Sequence, residues 1–169
     1  MSPAAAGLTV PSLLLVVLGV GTGLALVGRR RLVRQLERAR VRVARSWAAL
    51  DAALRARAEA ALAQVAGPGV DPATALLVAD AAGAVLDRTG RDVLREQAES
   101  DLTAVLDLVA LPASTARDEP VVLARRLHND AVTRLRTASA RRAVRLLGVR
   151  TTPVPTAFEM VEPALVWRA

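Results

Sequence analysis

An uncharged, largely apolar run of twenty residues, Leu8 to Val27, lies near the start of the chain and is followed by Arg29, Arg30 and Arg31. As a helix rising about 1.5 Å per residue, such a run spans the roughly 30 Å hydrocarbon core of a bilayer. Lipid offers the backbone no hydrogen-bond partners, so a spanning segment of this kind must be helical. The run therefore predicts a transmembrane helix, with the rest of the chain held at a membrane surface.

The positive charge around this run predicts its orientation. Residues 1–7 carry no basic side chain, whereas Arg29, Arg30, Arg31 and Arg34 closely follow the run. A secretory signal peptide normally has its positive charge before the apolar segment, and the cytoplasmic flanks of spanning helices are rich in basic residues. We therefore expect a single-pass plasma-membrane protein with its N-terminus outside and its C-terminal domain cytoplasmic. Anionic lipid headgroups are the expected partners of these four arginines.

The rest of the chain has the composition of a helical domain. Alanine and leucine are abundant, whereas the chain has one Phe and no Tyr, a balance that favours helices over strands. The predicted fold class is all-α, a single transmembrane helix followed by an antiparallel bundle of three to four long helices. The expected divisions are an extracytoplasmic N-terminus (1–7), a transmembrane helix (8–28), a cytoplasmic bundle (29–150) and an irregular tail (151–169).

The first bundle helix is expected to continue directly from the membrane segment, because residues 29–66 contain neither Pro nor Gly. Its apolar residues recur at heptad-like steps. They are Leu32, Leu36, Val43, Trp47, Leu50, Leu54, Ala61 and Val65. Either an intramolecular bundle or a coiled-coil homo-oligomer would cover this stripe. Arg40 and Arg57 interrupt it, which favours the bundle.

Three further helices are expected after the Gly67-Pro68-Gly69 turn. The second opens at Asp71-Pro72, a good N-cap followed by a residue that suits the first turn, and runs to about Asp87. The third is predicted over 91–111, with an apolar face of Leu94, Ala98, Leu102, Val105 and Val109. After a polar loop over 112–119, the fourth is predicted over 120–147, with a face of Leu123, Leu127, Ala131, Leu135 and Ala138. Phe158 and Met160 are expected to dock the tail on the bundle.

No residue pattern indicates catalysis or metal binding. The chain has no cysteine and one histidine, His128, and the neighbouring Asn129 and Asp130 would point about 100° apart on a helix. The spaced His, Cys or carboxylate ligands of a metal site are missing, and the basic residues lack the aromatic platform typical of nucleic-acid binding. We expect a non-enzymatic protein with no cofactor, no metal and no nucleic-acid partner.

Three residues are candidates for a structural or partner-contact role. Trp47 and Asp51 are four positions apart and therefore share a helix face. They could join a polar cluster with Asn129 or His128 from the last helix. The alternative is a packing Trp47 beside an Asp51 that is solvated or paired with an arginine. In either case Trp47 is expected to lie in the bundle core against the last helix.

Two segments resemble the LemA family of bacterial membrane proteins. In residues 46–57, Trp47 is followed by the aliphatic–acidic pair Leu50-Asp51 and then by Leu54 and basic residues. Residues 124–132 are similar to the Ala-Arg…Tyr-Asn…Val stretch on that family's last helix, with His128 at the position where the family usually has Tyr. Phe158-Glu159 is similar to an aromatic–Glu pair in the family's tail. The resemblance implies a membrane-anchored helical bundle and little chemistry.

These observations predict a scaffold or partner-binding module that acts on an unknown protein partner. The alternative is a structural coiled-coil component of a cell-envelope assembly, such as a secretion or pilus apparatus.

Overall fold

The computed structural model describes residues 10–109, 115–149 and 152–160, and over these residues it is all-helical with no strand. Its helices are α1 (Val10–Val65), α2 (Pro72–Leu86), α3 (Val93–Val109), α4 (Thr115–Ser139) and α5 (Arg142–Leu146). The predicted all-α bundle with one long apolar N-terminal helix is confirmed. The expected N-terminus (1–7), Leu111, residues 112–114 of the expected loop and residues 161–169 of the tail lie outside the described residues.

Helix α1 is a single element of 56 residues, about 84 Å long at the rise of an α-helix. It runs without a break from the apolar run through the arginines into the bundle, as the sequence predicted. An 18-residue window of its apolar part has none of its residues buried within the protein. By length and composition α1 is therefore a candidate membrane span, although a signal sequence meets the same criteria.

The other helices pack around the C-terminal part of α1. Val121 of α4 lies near Leu50 and Leu54, whereas Leu135 of α4 lies near Leu36, so that α4 runs antiparallel to α1. On α3, by contrast, Arg95 pairs with Asp51 and Glu99 pairs with Arg57, which makes α3 parallel to α1. The helices thus alternate in direction around α1, as in an up-and-down bundle.

The heptad-like stripe of α1 is the spine of the core. Every one of its eight residues is buried or half-buried, and they contribute to three buried clusters along the helix. The cluster nearest the arginines joins α1 to α4 and α5, the middle one joins α1 to α4 and the tail, and the third joins α1 to α2 and α3. Helices of the same chain therefore occupy the stripe that a coiled coil would have used.

Local signals set the ends of α2 as predicted. The Asp71 carboxylate accepts a hydrogen bond from the Thr74 N–H at 3.0 Å, and Pro72 is the first helical residue. This side chain satisfies one of the N–H groups that the first turn leaves without a partner.

The prediction that Phe158 and Met160 dock the tail also holds, since Phe158 is buried and Met160 packs against the middle cluster.

The predicted inner face of α3 was partly wrong. Leu94, expected inside, is 56% exposed, whereas Arg95, Glu99 and Thr103 are buried. Apolar periodicity alone favoured Leu94, but the charged side chains of α3 find partners on α1 and are therefore stable in the interior. The face is rotated by about one residue relative to the prediction.

The predicted start, end and inner face of α4 also require correction. The helix begins at Thr115 instead of Pro120 and ends at Ser139 instead of Leu147, with α5 as a separate short helix. Pro120 lies within the early turns of α4. The turn before it carries Asp118, whose carboxylate faces Arg57 of α1 at 3.6 Å, and a carboxylate is favoured at a helix N-terminus.

Leu123 and Leu127, which were expected on the inner face of α4, are 60% and 57% exposed. Val121, His128 and Val132 occupy that face instead. Ala131, Leu135 and Ala138, predicted on the same face, do pack in the core. The predicted face is therefore confirmed for the second half of α4 and wrong for its first half, where the polar His128 is buried instead of Leu127.

The observed packing predicts a large loss of stability at one leucine and almost none at another. Leu54→Ala should lower the free energy of unfolding by about 2–5 kcal/mol, because it opens a cavity in the middle cluster. Leu127→Ala should change it by less than about 0.5 kcal/mol, because Leu127 lies at the surface. Denaturant unfolding of the full-length protein in detergent micelles measures both, and equal losses would contradict this packing.

Candidate functional site

Three aromatic rings from distant parts of the sequence meet in the middle of the bundle. The Trp47 ring centroid lies 5.6 Å from that of His128 and 5.5 Å from that of Phe158, in edge-on and tilted arrangements. Such geometries are favourable between aromatic rings. The Arg91 guanidinium lies 5.1 Å from the Trp47 ring centroid, a cation–π distance. This ring cluster (Trp47, His128 and Phe158) joins α1, α4 and the tail, and Trp47 lies against α4 as expected.

His128 is fully buried, and its hydrogen bonds indicate its tautomer. The Ser46 hydroxyl donates to the Val43 carbonyl at 2.9 Å, so its proton is already used. Nδ1 of His128 lies 3.1 Å from the same hydroxyl oxygen and therefore acts as the donor. Nε2 is left as a buried acceptor with no partner among the described residues. Burial, and then the positive charge of Arg91, lower the pKa of His128, so the ring is neutral near pH 7.

Asn129 holds the tail in place. Its side-chain Oδ1 accepts from the Phe158 N–H at 2.9 Å, and its Nδ2 donates to the Phe158 carbonyl at 3.1 Å. One amide thus satisfies both backbone groups of a buried residue that belongs to no helix. The Glu96 carboxylate accepts from the next N–H, that of Glu159, at 3.0 Å. These contacts explain how a non-helical segment can pack on the bundle.

Asp51 does not join the polar cluster that was considered for it. Its carboxylate pairs with Arg55 at 3.2 Å and with Arg95 at 3.4 Å, and neither His128 nor Asn129 is among its hydrogen-bond or ion-pair partners. The alternative, an arginine-paired Asp51 beside a packing Trp47, describes the arrangement. Asp51 instead contacts, through Arg95, a second polar feature, which is centred on Arg57, six residues further along α1.

That second feature is a buried ion network of Arg57, Arg95, Glu99 and Asp118. Arg57 of α1 donates to Thr103 Oγ1 at 3.0 Å and to Glu99 Oε2 at 3.1 Å. It also donates to the Glu99 carbonyl at 3.2 Å. Its remaining charge partner is Asp118 on α4, at 3.6 Å. One guanidinium therefore joins α1, α3 and the first turn of α4.

Arg95 completes the network from the α3 side. Its Nη2 lies 3.0 Å from Glu99 Oε1, and its Nη1 donates to the carbonyls of Val85 and Arg88. These two carbonyls lie at the end of α2 and just beyond it, where the carbonyls of a helix lack intrahelical partners. Arg95 thus caps the C-terminal end of α2, and the carbonyls at that end help to stabilise its buried charge.

The charges of the buried ion network balance one another. Two buried guanidinium groups face two buried carboxylates, and Asp51 lies at the edge. Burial raises the pKa of Glu99, and the positive charges of Arg57 and Arg95 oppose that shift. Burial likewise raises the pKa of Asp118, against the effect of Arg57. The positive charges of the two arginines therefore offset part, but not all, of the effect of burial on these carboxyl groups.

Most of this network was not predicted from the sequence. Arg57, as an interruption of the apolar stripe, was the one available signal, and no partner was predicted for it. Arg95 and Glu99 are four residues apart on α3, a spacing that is also common for pairs on exposed helix faces. Only the packing of α3 against α1 shows that they are buried.

The arginines after the apolar run, namely Arg29, Arg30, Arg31 and Arg34, are all exposed on α1. On α1 they precede Trp47 of the ring cluster by more than ten residues and Arg57 of the buried ion network by more than twenty. Within the described parts of the chain, no three His, Cys, Asp or Glu side chains are grouped as metal ligands would be. The ring cluster and the network have the character of structural joints between helices.

No protein-family model, curated protein or solved structure matches this chain.

The pairing of Arg57 with Glu99 in the buried ion network predicts that the free energy of unfolding depends strongly on each of these two residues. Arg57→Met and Glu99→Met should each lower the free energy of unfolding by about 3–5 kcal/mol, because each leaves buried charge uncompensated. The double variant should lose less than the sum of the two. Arg134→Met, in the exposed pair with Asp130, is the control and should lose at most about 1 kcal/mol. Additive losses in the double variant would contradict a coupled network.

The neutral, buried His128 predicts a pH effect of known sign. Its pKa is lower in the folded state than the unfolded value of about 6.5, so the unfolded state takes up a proton first as the pH falls. The stability it contributes is therefore present above this value and is lost with acidification. His128→Asn keeps a polar atom near Ser46 and does not titrate.

The wild type should accordingly lose stability relative to His128→Asn between about pH 7.5 and about pH 5. The comparison with this variant removes the opposite contributions of Glu99 and Asp118, whose raised pKa values favour the folded state at low pH. Unfolding can be followed by Trp47 emission in a Trp167→Phe background. A stability difference that is independent of pH would show that His128 is not held neutral.

Proposed function

We propose that this protein is a single-pass plasma-membrane protein whose helical bundle acts in the cytoplasm as a non-enzymatic scaffold or partner-binding module. The observation that carries the proposal is the continuity of α1, which joins the apolar run to the spine of the bundle in one helix of 56 residues. A flexible tether would leave the domain free to rotate, whereas an unbroken helix couples its position to that of the membrane.

The proposed orientation is supported by the charge around the apolar run. Four exposed arginines lie within seven residues of Val27, and basic residues of this kind are retained on the cytoplasmic side. Their side chains would contact anionic lipid headgroups, each contributing about 1 kcal/mol near the surface.

We also propose that the chain is a divergent member of the LemA family. The segments that carry the resemblance are far apart in the sequence, yet they meet in the ring cluster through Trp47, His128 and Phe158. Asn129 from the second segment binds the backbone of Phe158 in the third. Motifs that specify one shared fold are expected to contact one another in this way, and this convergence supports the family proposal.

The role as a scaffold is supported over the coiled-coil alternative by the placement of the α1 stripe. A structural coiled coil in an envelope assembly would need these apolar residues free to pair with another chain, but α2, α3, α4 and α5 cover them. Large apolar side chains remain on the outer surface of the bundle, as would suit contact with a protein partner. They include Leu76, Leu77, Leu94, Leu108, Leu123 and Leu127.

The proposed topology predicts the outcome of reporter fusions. A reporter that works only in the cytoplasm should be active after Ala169, and one that needs the periplasm should be silent. Replacing Arg29, Arg30, Arg31 and Arg34 by Ser, with arginines added before Leu8, should reverse the result. N-terminal sequencing of the membrane-bound protein should still find the apolar run, and its removal would identify a cleaved signal sequence instead.

A further inference from the structure

Helix α5 and the turn after it lie beside the base of the bundle, where the apolar run ends. Leu147 Cδ1 is 4.0 Å from the position that a Cβ would take on Gly28, the residue directly after Val27. Val149 lines a shallow groove with Arg29 and Val33 of α1. If residues 8–27 span the hydrocarbon core, α5 therefore lies at the level of the lipid headgroups.

A well-defined turn fixes α5 in this position. After α5 the Val149 N–H donates to the Val144 carbonyl at 3.0 Å, and the Gly148 N–H donates to the Arg145 carbonyl at 3.2 Å. Together with a positive φ of 59° at Gly148, this is a Schellman motif, in which glycine is favoured because it adopts the left-handed conformation without strain. Val144 and Val149 both pack in the cluster around Leu36. The turn is thus anchored to α1 from its inner side.

The outer side of α5 carries an unusually exposed leucine. Leu146 is 84% exposed, more than Leu13, Leu18 or any other exposed large apolar residue of the apolar run, which range from 49% to 70%. It lies two positions after the buried Val144, about 200° around the helix, so anchoring Val144 inward turns Leu146 outward. Arg142, four positions earlier, shares this outer face.

The charge around Leu146 is mainly positive; the acidic side chain at the groove that Val149 lines is Glu37, which pairs with Arg40 at 2.9 Å. Arg141, Arg142 and Arg145 are exposed, and neither residues 28–36 nor residues 133–149 contain an acidic side chain. The arginines of α5 and those that follow the apolar run on α1 therefore form one basic region at the base of the bundle. An exposed leucine within such a region complements the surface of an anionic bilayer, which offers both headgroup charge and apolar depth.

We propose that α5 is a second membrane contact, in which Leu146 inserts between anionic phospholipids while Arg141, Arg142 and Arg145 bind their headgroups. This inference rests on the proposed membrane span and adds to it. One helix through a bilayer leaves rotation about its axis unrestrained. A second contact fixed to the same helix restrains that rotation, so that the bundle presents one side to the membrane and the opposite side to the cytoplasm.

Single-cysteine labelling tests this contact cleanly, because the chain has no cysteine. The full-length variants Leu146→Cys, Leu108→Cys and Leu18→Cys carry an environment-sensitive nitrobenzoxadiazole label. Each is reconstituted into vesicles of equal parts phosphatidylglycerol and phosphatidylcholine. Leu108 is the matched control, since it is 76% exposed and lies near the end of α3, which runs away from the base of the bundle. Lipids with a nitroxide near the headgroup or deep in the acyl chain serve as quenchers.

The label at position 146 should show blue-shifted emission and should lose intensity with the shallow nitroxide, whereas the label at 108 should do neither. Adding Arg142→Glu and Arg145→Glu to Leu146→Cys should abolish that quenching. If the label at 146 behaves like the label at 108 while the label at 18 is quenched by the deep nitroxide, the second contact is wrong and the span stands.

Two other results would also overturn the inference. A blue shift at position 146 without nitroxide quenching would show that protein, and not lipid, covers Leu146. Absence of deep quenching at position 18 would overturn the membrane span itself, and the second contact with it.

Discussion

The buried guanidinium of Arg57 is the constraint on which the rest of this bundle depends. A charged guanidinium in a helix core is stable only where carboxylates and other acceptors face it. Here Glu99 and Thr103 on α3 accept hydrogen bonds from its two Nη groups, and Asp118 on α4 faces its charge. The Nε of Arg57 has no hydrogen-bond partner among the described residues. Sliding α3 or α4 by one turn would leave buried charges without partners. Apolar contacts between alanines, valines and leucines tolerate such shifts more readily. The buried charged residues therefore specify the register of α3 and α4 against α1 more strictly than the aliphatic core does.

The ring cluster lies a few helical turns from this network and depends on the same register. With Asp118 held beside Arg57, the antiparallel α4 brings His128 level with Ser46 and Trp47. Asn129 then faces outward enough to bind Phe158, and the tail covers the rings. In this way three segments that lie far apart in the sequence become neighbours.

Helix α1 connects these joints to the proposed membrane anchor. Helices of the same chain pack on the apolar stripe of α1, whereas no described helix packs on its N-terminal apolar part. The exposed arginines at the base of the bundle lie between these two parts of the helix. With the proposed anchor in place, an unbroken α1 would hold the bundle at a defined height above the membrane. The proposed contact through α5 would extend that control from height to rotation.

The sequence by itself determined the helical class, the unbroken α1, its inward stripe and the start of α2, because each follows from local propensity, capping or the periodicity of apolar residues. The apolar periodicity also identified Ala98 and Leu102 of α3 and Ala131 and Leu135 of α4 as inner residues. Tertiary structure alone decided which polar residues join them. Leu94, Leu123 and Leu127 match a helical period as well as the residues that replace them, and a periodic pattern cannot show that Arg95, Glu99 and His128 will find partners. Whether a polar side chain is buried depends on groups from other helices, and those meet only in the folded chain.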